Sequence, residues 1–307
     1  MFWRKKNKTQ DHREDSSRVH KDPVDIRVVV KTDLGNVRTN NEDSASFFRI
    51  ADENVLRNKG YLLIVADGMG GHQAGEVASK MAVEIIGREY YNSGEKSIEQ
   101  SLSKAFNTAN KKIFEQAASN ETQKGMGTTS TALAIVGDAI YFAHSGDSRA
   151  YHFHNNTITR ITQDHTYVQE LVNNGNISAE EAETHPQRNI LTNAMGTKPS
   201  LRVDTGLFNG VFDVSDRLLL CSDGLYDYLS DEELRRALAS GTLQQVADYL
   251  VSEAKRRGGK DNITVILAEY GAEKNNNQIK STRDVEAPKL TRDAYIPEGL
   301  NNNDNDR

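Results

Sequence analysis

The sequence has a single cysteine, Cys221, among its 307 residues, so no disulfide bond can form within one chain. That absence is typical of proteins from a reducing compartment. Cys221 lies at the end of the apolar run 218–221. We expect it to be buried as a small hydrophobic side chain rather than to act as a nucleophile.

Long hydrophobic runs are missing as well. No segment approaches the roughly 20 consecutive apolar residues of a transmembrane helix. The first ten residues, MFWRKKNKTQ, include no apolar stretch long enough for a signal peptide. The sequence therefore predicts a cytoplasmic, soluble protein with no stable membrane insertion.

An excess of basic residues is also lacking. The chain has 38 lysines and arginines against 44 aspartates and glutamates, which gives a formal net charge of -6. Domains that bind nucleic acids generally are usually basic, because they neutralise backbone phosphates. The charge balance argues against a nucleic-acid partner.

The middle of the chain has no linker rich in proline, glycine or serine, which indicates one domain with one core. Residues 1–24 mix charges of both signs with few apolar side chains, and residues 272–307 include two Asn-rich stretches. Neither end can bury much apolar surface, so we expect two flexible arms around a folded domain at 25–271. A docking or autoinhibitory role is the alternative for the C-terminal arm.

Apolar residues recur with a period of 3.6 in three segments, which predicts amphipathic helices near 78–86, 102–113 and 243–254. Strand-forming segments fill the remaining core, at 26–32, 43–49, 61–66, 130–136, 139–144, 149–153, 157–161, 217–221 and 263–269. Neighbouring strands interrupted by helices indicate an α+β fold with helices on mainly antiparallel sheets. A Rossmann fold would need regular alternation of strands and helices, and the hairpin-rich middle argues against it.

One segment, at about 164–196, does not fit the layered pattern. It contains two short helical patterns with a break at Gly175 between them and a turn at Pro186 after the second. Because it lies between two strand regions, we interpret it as a small helical flap over a cleft.

Four aspartates lie where strand-forming runs meet turns. Asp67, Asp147 and Asp223 each end such a run, and Asp261 begins one. Any one of them alone would be an ordinary turn residue. In an antiparallel sheet, however, strand ends and strand starts share an edge, so the four carboxylates can meet. Clustered carboxylates repel unless cations separate them, and Mg²⁺ or Mn²⁺ are the expected occupants.

A glycine-rich turn and an arginine accompany these acids. Gly68 follows Asp67 directly, and its carbonyl could supply a further oxygen ligand. The turn is not a P-loop, because the Lys-Ser/Thr pair is missing. Arg38 is the upstream group able to clamp a phosphate through two hydrogen bonds, although a lone arginine is more often part of a surface ion pair.

Six motifs in order resemble the PPM or PP2C family of metal-dependent protein serine/threonine phosphatases, in its bacterial form. They are D-x-G-x-V-R-x-x-N-E-D-S (33–44), V-A-D-G-M-G-G-H-x-x-G-E-x-A-S (65–79), M-G-T-T-S-T-A (126–132), S-G-D-S-R-A-Y (145–151), L-L-L-C-S-D-G-L-Y-D (218–227) and G-G-K-D-N-I-T-V (258–265). The resemblance runs from about Asp33 to Tyr270. It implies a central antiparallel β-sandwich flanked by helical pairs.

The resemblance also implies a site for two metal ions, Mn²⁺ or Mg²⁺. Asp67 matches the carboxylate that bridges them, and Gly68 matches the residue that gives its carbonyl to the second ion. Asp223 and Asp261 match the ligands of the first ion.

Four further positions take their roles from the family. Asp147 matches the aspartate of a third, weaker metal, and Glu42 or Asp43 would bind the second ion directly or through water. Arg38 matches the phosphate-binding arginine. Met69 stands where eukaryotic members have a histidine, as in bacterial relatives, which leaves the general acid open.

The implied activity is hydrolysis of phosphoserine and phosphothreonine in proteins by a water that two metal ions activate. Expected partners are phosphorylated proteins, among them a bacterial Ser/Thr kinase and its substrates, and the protein is expected to be a monomer. The alternatives are a catalytically weak phosphoprotein-binding scaffold and a hydrolase of small phosphoesters. A degenerate scaffold should lack one of Asp67, Asp223 or Asp261, and all three are present.

Overall fold

The computed structural model describes residues 23–70 and 73–271. The predicted arms at 1–24 and 272–307 lie outside the described residues except for 23 and 24, so their flexibility stays a prediction. Val24 is buried against the core. The packed part of the chain therefore begins at least one residue before the predicted boundary.

Two antiparallel sheets form the centre of the protein. The first has the strand order β1-β11-β10-β7-β8, with β1 at Ile26–Asp33, β7 at Arg149–His154, β8 at Thr157–Arg160, β10 at Arg217–Cys221 and β11 at Ile263–Tyr270. The second has the order β2-β3-β5-β6-β9, with β2 at Asp43–Phe48, β3 at Tyr61–Met69, β5 at Ser130–Val136, β6 at Ala139–Ser145 and β9 at Asp204–Val211. A short strand β4, Gly127–Thr128, pairs with the end of β3.

The alternation of side chains along β3 shows how the layers are built. Leu63 and Val65 pack in the apolar layer between the two sheets. Leu62, Ile64 and Ala66 pack on the opposite face, against helices. Because successive side chains of a strand point to opposite faces, a strand buried on both sides reads as a continuous apolar run.

Helical pairs cover the outer faces of both sheets. The second sheet carries α2, Gln73–Tyr91, and α3, Ile98–Ser119, and the first carries α7, Asp231–Leu238, and α8, Leu243–Arg257. The predicted stripe of α3 is buried, as are the apolar positions of α8. The predicted α+β sandwich with flanking helical pairs is confirmed.

Several elements differ from the sequence prediction. Helices α1 at Glu53–Lys59, α6 at Asp223–Tyr226 and α7 were not predicted, and neither was strand β9. Helix α7 buries only Leu234 and Leu238, too few apolar positions to show a period, and depends on a capping box between Ser230 and Glu233. The prediction for β3 was too short, because the strand continues through Gly68 to Met69 by pairing with β4.

The segment predicted as a flap contains two short helices, α4 at Tyr167–Asn173 and α5 at Ala179–Glu183. The Tyr167 N–H donates to the Ile190 carbonyl at 2.8 Å, which closes the segment at its base. Both guanidinium Nη atoms of Arg188 donate to the carboxylate of Asp227, at 2.7 and 3.0 Å. The segment is thereby joined to the residue that follows α6.

No helix among residues 23–70 and 73–271 combines the length and the apolar character needed to cross a membrane.

Candidate active site

The acidic site lies at one end of the sandwich, where both sheets contribute residues. Asp43 begins β2 and lies directly opposite Asp67 of β3 in the second sheet. Asp223 and Asp261 lie at the ends of two strands of the first sheet. Asp223 follows β10 and begins α6, and Asp261 lies two residues before β11. Because β10 and β11 are antiparallel neighbours, the end of one meets the start of the other.

A hydrogen bond between the two sheets closes the site at its base. The Ser222 hydroxyl, between β10 and Asp223, donates to Asp43 Oδ2 at 2.7 Å. The same Ser222 Oγ accepts the Thr264 N–H of β11 at 3.1 Å. Ser222 therefore fixes the end of the first sheet against the start of β2.

The structure brings together the four aspartates predicted from sequence. Burial raises the pKa of Asp67 well above its usual range, and the charges of Asp43, Asp223, Asp147 and Asp261 raise it further. Such repulsion at Asp67 shows that the other four carboxylates lie close to it.

Three other acids of the set show the same effect. Burial, with the charges of Asp147, Asp227 and Asp261, raises the pKa of Asp223 well above its usual range. Burial raises the pKa of Asp43 to about 6, although hydrogen bonds from Thr264 and Ser222 act in the opposite direction. Burial and the charge of Asp164 raise the pKa of Asp147 to about 7.

One oxygen of this cluster has no hydrogen-bond partner. Asp223 Oδ1 is buried and unpaired among the described residues. A buried carboxylate oxygen without a donor is costly, and in native proteins such an atom usually has a protein, water or ion partner. The excess of buried negative charge and this unpaired oxygen fit a divalent cation with oxygen ligands.

Gly68 is required by a close approach of two backbone segments. A Cβ atom at this position would lie 2.1 Å from the Gly75 carbonyl oxygen, on α2, and 2.6 Å from that of Glu42. The Gly68 N–H donates to the same Glu42 carbonyl at 3.1 Å. The side chain of Glu42 is almost buried beside this contact, so Glu42 and Gly68 lie together as predicted ligands of the second ion would.

Arg38 lies at the rim of the site, with its side chain 45% exposed. Its Nη2 donates to Asp261 Oδ2 at 2.6 Å, and its Nη1 lies 4.0 Å from Glu42 Oε2. Burial acts to lower the pKa of Arg38, but the hydrogen bond and charge of Asp261 raise it. The guanidinium is thus held beside the acidic cluster and remains open to solvent.

Asn262 is a positioning residue that the sequence reasoning did not single out. Its Oδ1 accepts the Glu42 N–H at 2.8 Å, and its Nδ2 donates to the carbonyls of Leu34 and Asn40, each at 3.0 Å. These bonds hold the loop that carries Arg38 and Glu42 against Asp261. Its position directly after Asp261, within the sixth motif, was the available signal.

Asp227 and Arg149 were also missed. The charge of Asp227 adds to the repulsion at Asp223. The Arg149 guanidinium lies 3.6 Å from the centre of the Tyr226 ring and pairs with Asp164 at 2.7 Å. The charge of Arg149 also acts on Asp147, so this arginine lies beside the cluster.

The chain is similar to known proteins in both sequence and fold. The family model for protein phosphatase 2C matches residues 29–171. A serine/threonine phosphatase stp of Listeria innocua is 41% identical over 244 residues, which cover 78% of this chain and 94% of the relative. The chain belongs to the protein phosphatase 2C family. The resemblance stated from the six motifs is thus confirmed.

Solved structures of this phosphatase 2C family are similar over the same region. The serine/threonine phosphatase PstP/Ppp of Mycobacterium tuberculosis matches with a TM-score of 0.71 and 36% identity, over 80% of this chain and 99% of that one. Stp1 of Staphylococcus aureus matches with a TM-score of 0.74 and 35% identity, over 84% and 100%. The catalytic domain of PstP in complex with two manganese ions matches with a TM-score of 0.66 and 35% identity, over 80% and 97%.

Proposed function

We propose that this protein serine/threonine phosphatase uses the acidic cluster at the end of its sandwich to hold two divalent cations, and that it removes phosphate from phosphoserine and phosphothreonine in proteins. Family membership and named phosphatase relatives support the activity. The observation that carries the site is the set of mutually repelling aspartates, two of them buried and three partly buried, with the unpaired and buried Asp223 Oδ1 among them.

We assign the two ions to the residues of the family pattern. Asp67, which the charges of the other four aspartates affect, would be a ligand of both ions. Asp223 and Asp261, from the first sheet, would be the remaining ligands of the first ion. The Gly68 carbonyl and Glu42 or Asp43 would hold the second ion from the second sheet. The two manganese ions of the PstP structure support Mn²⁺, and the oxygen ligands are equally suited to Mg²⁺.

Asp147 would serve a third, weaker ion. It lies between β6 and β7 and adds its charge to the repulsion at both Asp67 and Asp223. The charges of Asp164 and Asp227 raise the pKa of Asp147. Asp164 begins the flap segment and Asp227 pairs with Arg188 of the flap, so Asp147 is on the flap side of the cluster. A ligand at the edge of the cluster is consistent with weaker binding.

Two bound cations supply a water of lowered pKa and neutralise phosphoryl oxygens. The chain's own residues orient the reactants. Arg38, held by Asp261, presents its exposed guanidinium to the phosphoryl group, where charge-assisted hydrogen bonds would fix its orientation. The carboxylates would hold the ions in fixed positions, because Asn262 and Ser222 restrain the loops and strand ends that carry these side chains.

The finer assignments extend the same proposal. The folded domain would extend from Val24 to residue 271, act as a monomer in the cytoplasm and reverse the action of a bacterial Ser/Thr kinase on shared protein substrates. The scaffold alternative gains no support, because Asp67, Asp223 and Asp261 are all present and lie together.

The test is hydrolysis of a phosphothreonine peptide with Mn²⁺, Mg²⁺ or EDTA, by the wild type and Asp223→Asn. We expect turnover that requires the divalent ion and is lost in the variant, since the substitution removes ligand charge at nearly constant shape. Asp231→Asn, an exposed position on α7, is the matched control and should retain full activity. Turnover by Asp223→Asn equal to that of the wild type would contradict the site; no turnover with any ion would contradict the activity.

A further inference from the structure

A second group of ligand-type side chains lies far from the acidic site. It consists of His152 and His154 of β7 and of Asp216, which directly precedes β10. One ligand atom from each residue lies within 4.8 Å of the others. Asp223 is at the opposite end of β10, about 20 Å away at the rise of a β-strand. The two groups are therefore separate.

The local sequence explains why both imidazoles meet one carboxylate. Residues two apart on a strand share a face, so His152 and His154 project to the same side of β7. Asn155 and Asn156 follow with φ angles of 47° and 61°, which form the tight turn into β8. This turn fixes His154 at the end of its strand, opposite Thr157.

Hydrogen bonds position all three side chains. His152 Nε2 lies 2.9 Å from Asp216 Oδ2, and His154 Nδ1 lies 2.6 Å from Asp216 Oδ1. The Asp213 N–H donates to Asp216 Oδ2 at 2.9 Å, and the Phe208 ring packs edge-on against His152. Each imidazole thus directs one nitrogen toward the same carboxylate in a prearranged geometry.

The charge of the group is unbalanced. Asp216 is 2% exposed and His152 is 5% exposed. In the part of the chain that the structure describes, Asp216 forms ion pairs with these two histidines and with no lysine or arginine. A buried carboxylate whose only ion-pair partners in this part of the chain are imidazoles has no permanently charged group beside it, and a buried charge without a cation is costly.

The donor set identifies the class of cation. Two imidazole nitrogens and one carboxylate oxygen, with an open fourth position, suit Zn²⁺ and related transition metals, whereas Mg²⁺ and Ca²⁺ prefer oxygen ligands throughout. The open position is on the side of His154, whose side chain is 49% exposed. The other nitrogen of this ring, Nε2, lies 2.7 Å from Asn155 Nδ2, which is an amide donor. Ligation by Nδ1 therefore requires the exposed Asn155 amide to turn, so that its oxygen accepts the Nε2–H.

We propose that His152, His154 and Asp216 form a site for Zn²⁺ or a similar transition metal, separate from the phosphatase site. The ion would join the β7–β8 turn to the chain that enters β10. It would act as a structural clip at the end of the sandwich opposite the acidic cluster. The site does not depend on the proposed catalytic function.

The test counts Zn²⁺ equivalents bound by the full chain in competition with a chromophoric chelator. The wild type should bind one equivalent more than His154→Ala and one more than Asp216→Asn. His185→Ala removes a half-buried histidine elsewhere and should bind as the wild type does. Asp223→Asn should retain the equivalent that depends on His154, which distinguishes this site from the acidic one.

Thermal unfolding provides the second readout. His154 is half exposed, so its replacement should leave the fold intact, as the Tm in EDTA and the circular dichroism spectrum would show. Added Zn²⁺ should raise the Tm of Asp223→Asn and not that of Asp223→Asn combined with His154→Ala, because only a ligand of the folded state stabilises it. Equal Zn²⁺ stoichiometry and affinity in the wild type, His154→Ala and Asp216→Asn would overturn the proposal and leave a hydrogen-bonded Asp–His group.

Discussion

Asp43, which is buried, and Asp67, which is partly buried, lie directly opposite each other on adjacent strands of the second sheet. Like charges at such a cross-strand position are destabilising in an ordinary sheet. Their juxtaposition is explained if the pair serves a cation, with Asp223 and Asp261 facing it from the first sheet. Four predictions follow from this arrangement and its surroundings.

Without divalent ions, the stability of the protein should fall as pH rises. The pKa values of Asp43 and Asp147 are raised to about 6 and about 7 in the folded state, from an ordinary value of 3.8. Their stabilising contribution is therefore complete below about pH 4 and is lost as pH rises through about 7. The shift at Asp43 alone corresponds to about 3 kcal/mol, or a Tm lower by roughly 6–12 °C.

Thermal unfolding in EDTA at several pH values between 4 and 7 measures this loss. Saturating Mn²⁺ should remove most of the fall in Tm with pH, because it neutralises the carboxylates. Asp223→Asn should make the fall in Tm smaller in EDTA, because it removes one of the repelling charges. A Tm in EDTA that rises or stays constant over this range would contradict the predicted repulsion.

Arg38→Ala should lower kcat/KM for a phosphothreonine peptide by about 10- to 100-fold, since charge-assisted hydrogen bonds contribute about 1.5–3 kcal/mol. Arg38→Lys should recover only part of the loss, because an ammonium cannot bond two phosphoryl oxygens in the fork geometry of a guanidinium. Arg27→Ala, which breaks an exposed pair with Glu269, is the control and should leave kcat/KM unchanged. A wild-type kcat/KM for Arg38→Ala would remove this residue from phosphate binding.

Arg188→Ala should affect phosphoprotein substrates more than a small aryl phosphate. The substitution breaks the two-point pair with Asp227 that joins the flap to the end of α6. We expect a KM raised several-fold for a phosphoprotein and nearly unchanged for the aryl phosphate, measured on the same enzyme preparation. Gln187→Ala, an exposed neighbour, serves as the control. Equal changes for both substrates would show that the segment has only a structural role.

Gly68→Ala should destabilise the fold and abolish activity. The added methyl group would lie 2.1 Å from the Gly75 carbonyl oxygen, and backbone atoms on both sides of the contact leave little room to adjust. Overpacking of this kind costs about 1–3 kcal/mol or more. Gly94→Ala, where no atom lies within 4 Å of the added Cβ, should unfold at the wild-type Tm. Equal melting of the two variants would contradict the predicted close approach.

The sequence was sufficient to predict that Asp67, Asp147, Asp223 and Asp261 lie together, because each follows or precedes a strongly apolar strand. It was not sufficient to predict the Ser222–Asp43 hydrogen bond, which joins residues 179 positions apart and depends on how the sheets stack. The sequence predicted that a turn begins at Asp67, whereas β3 continues to Met69 by pairing with β4. This extension was not predictable because β4 is only two residues long and forms through tertiary pairing.

Other elements were missed for reasons of local composition. Strand β9 is an edge strand that pairs only with β6 among the described strands, and Gly206 and Gly210 interrupt its side-chain alternation. The His-x-His spacing of residues 152 and 154 is visible in the sequence, but Asp216 lies 62 residues beyond His154. Only the folded chain identifies it as their partner.

The division of the acidic site between the two sheets has a mechanical consequence. Asp43 and Asp67 belong to the second sheet, whereas Asp223 and Asp261 flank strands of the first. The apolar layer between the sheets, which includes Leu63 and Val65, therefore acts as a spacer that sets the separation of these two pairs. A change in the thickness of that layer would alter the distance between ligands without touching any of them. The metal affinity of the proposed site would therefore depend on the core as much as on the cleft.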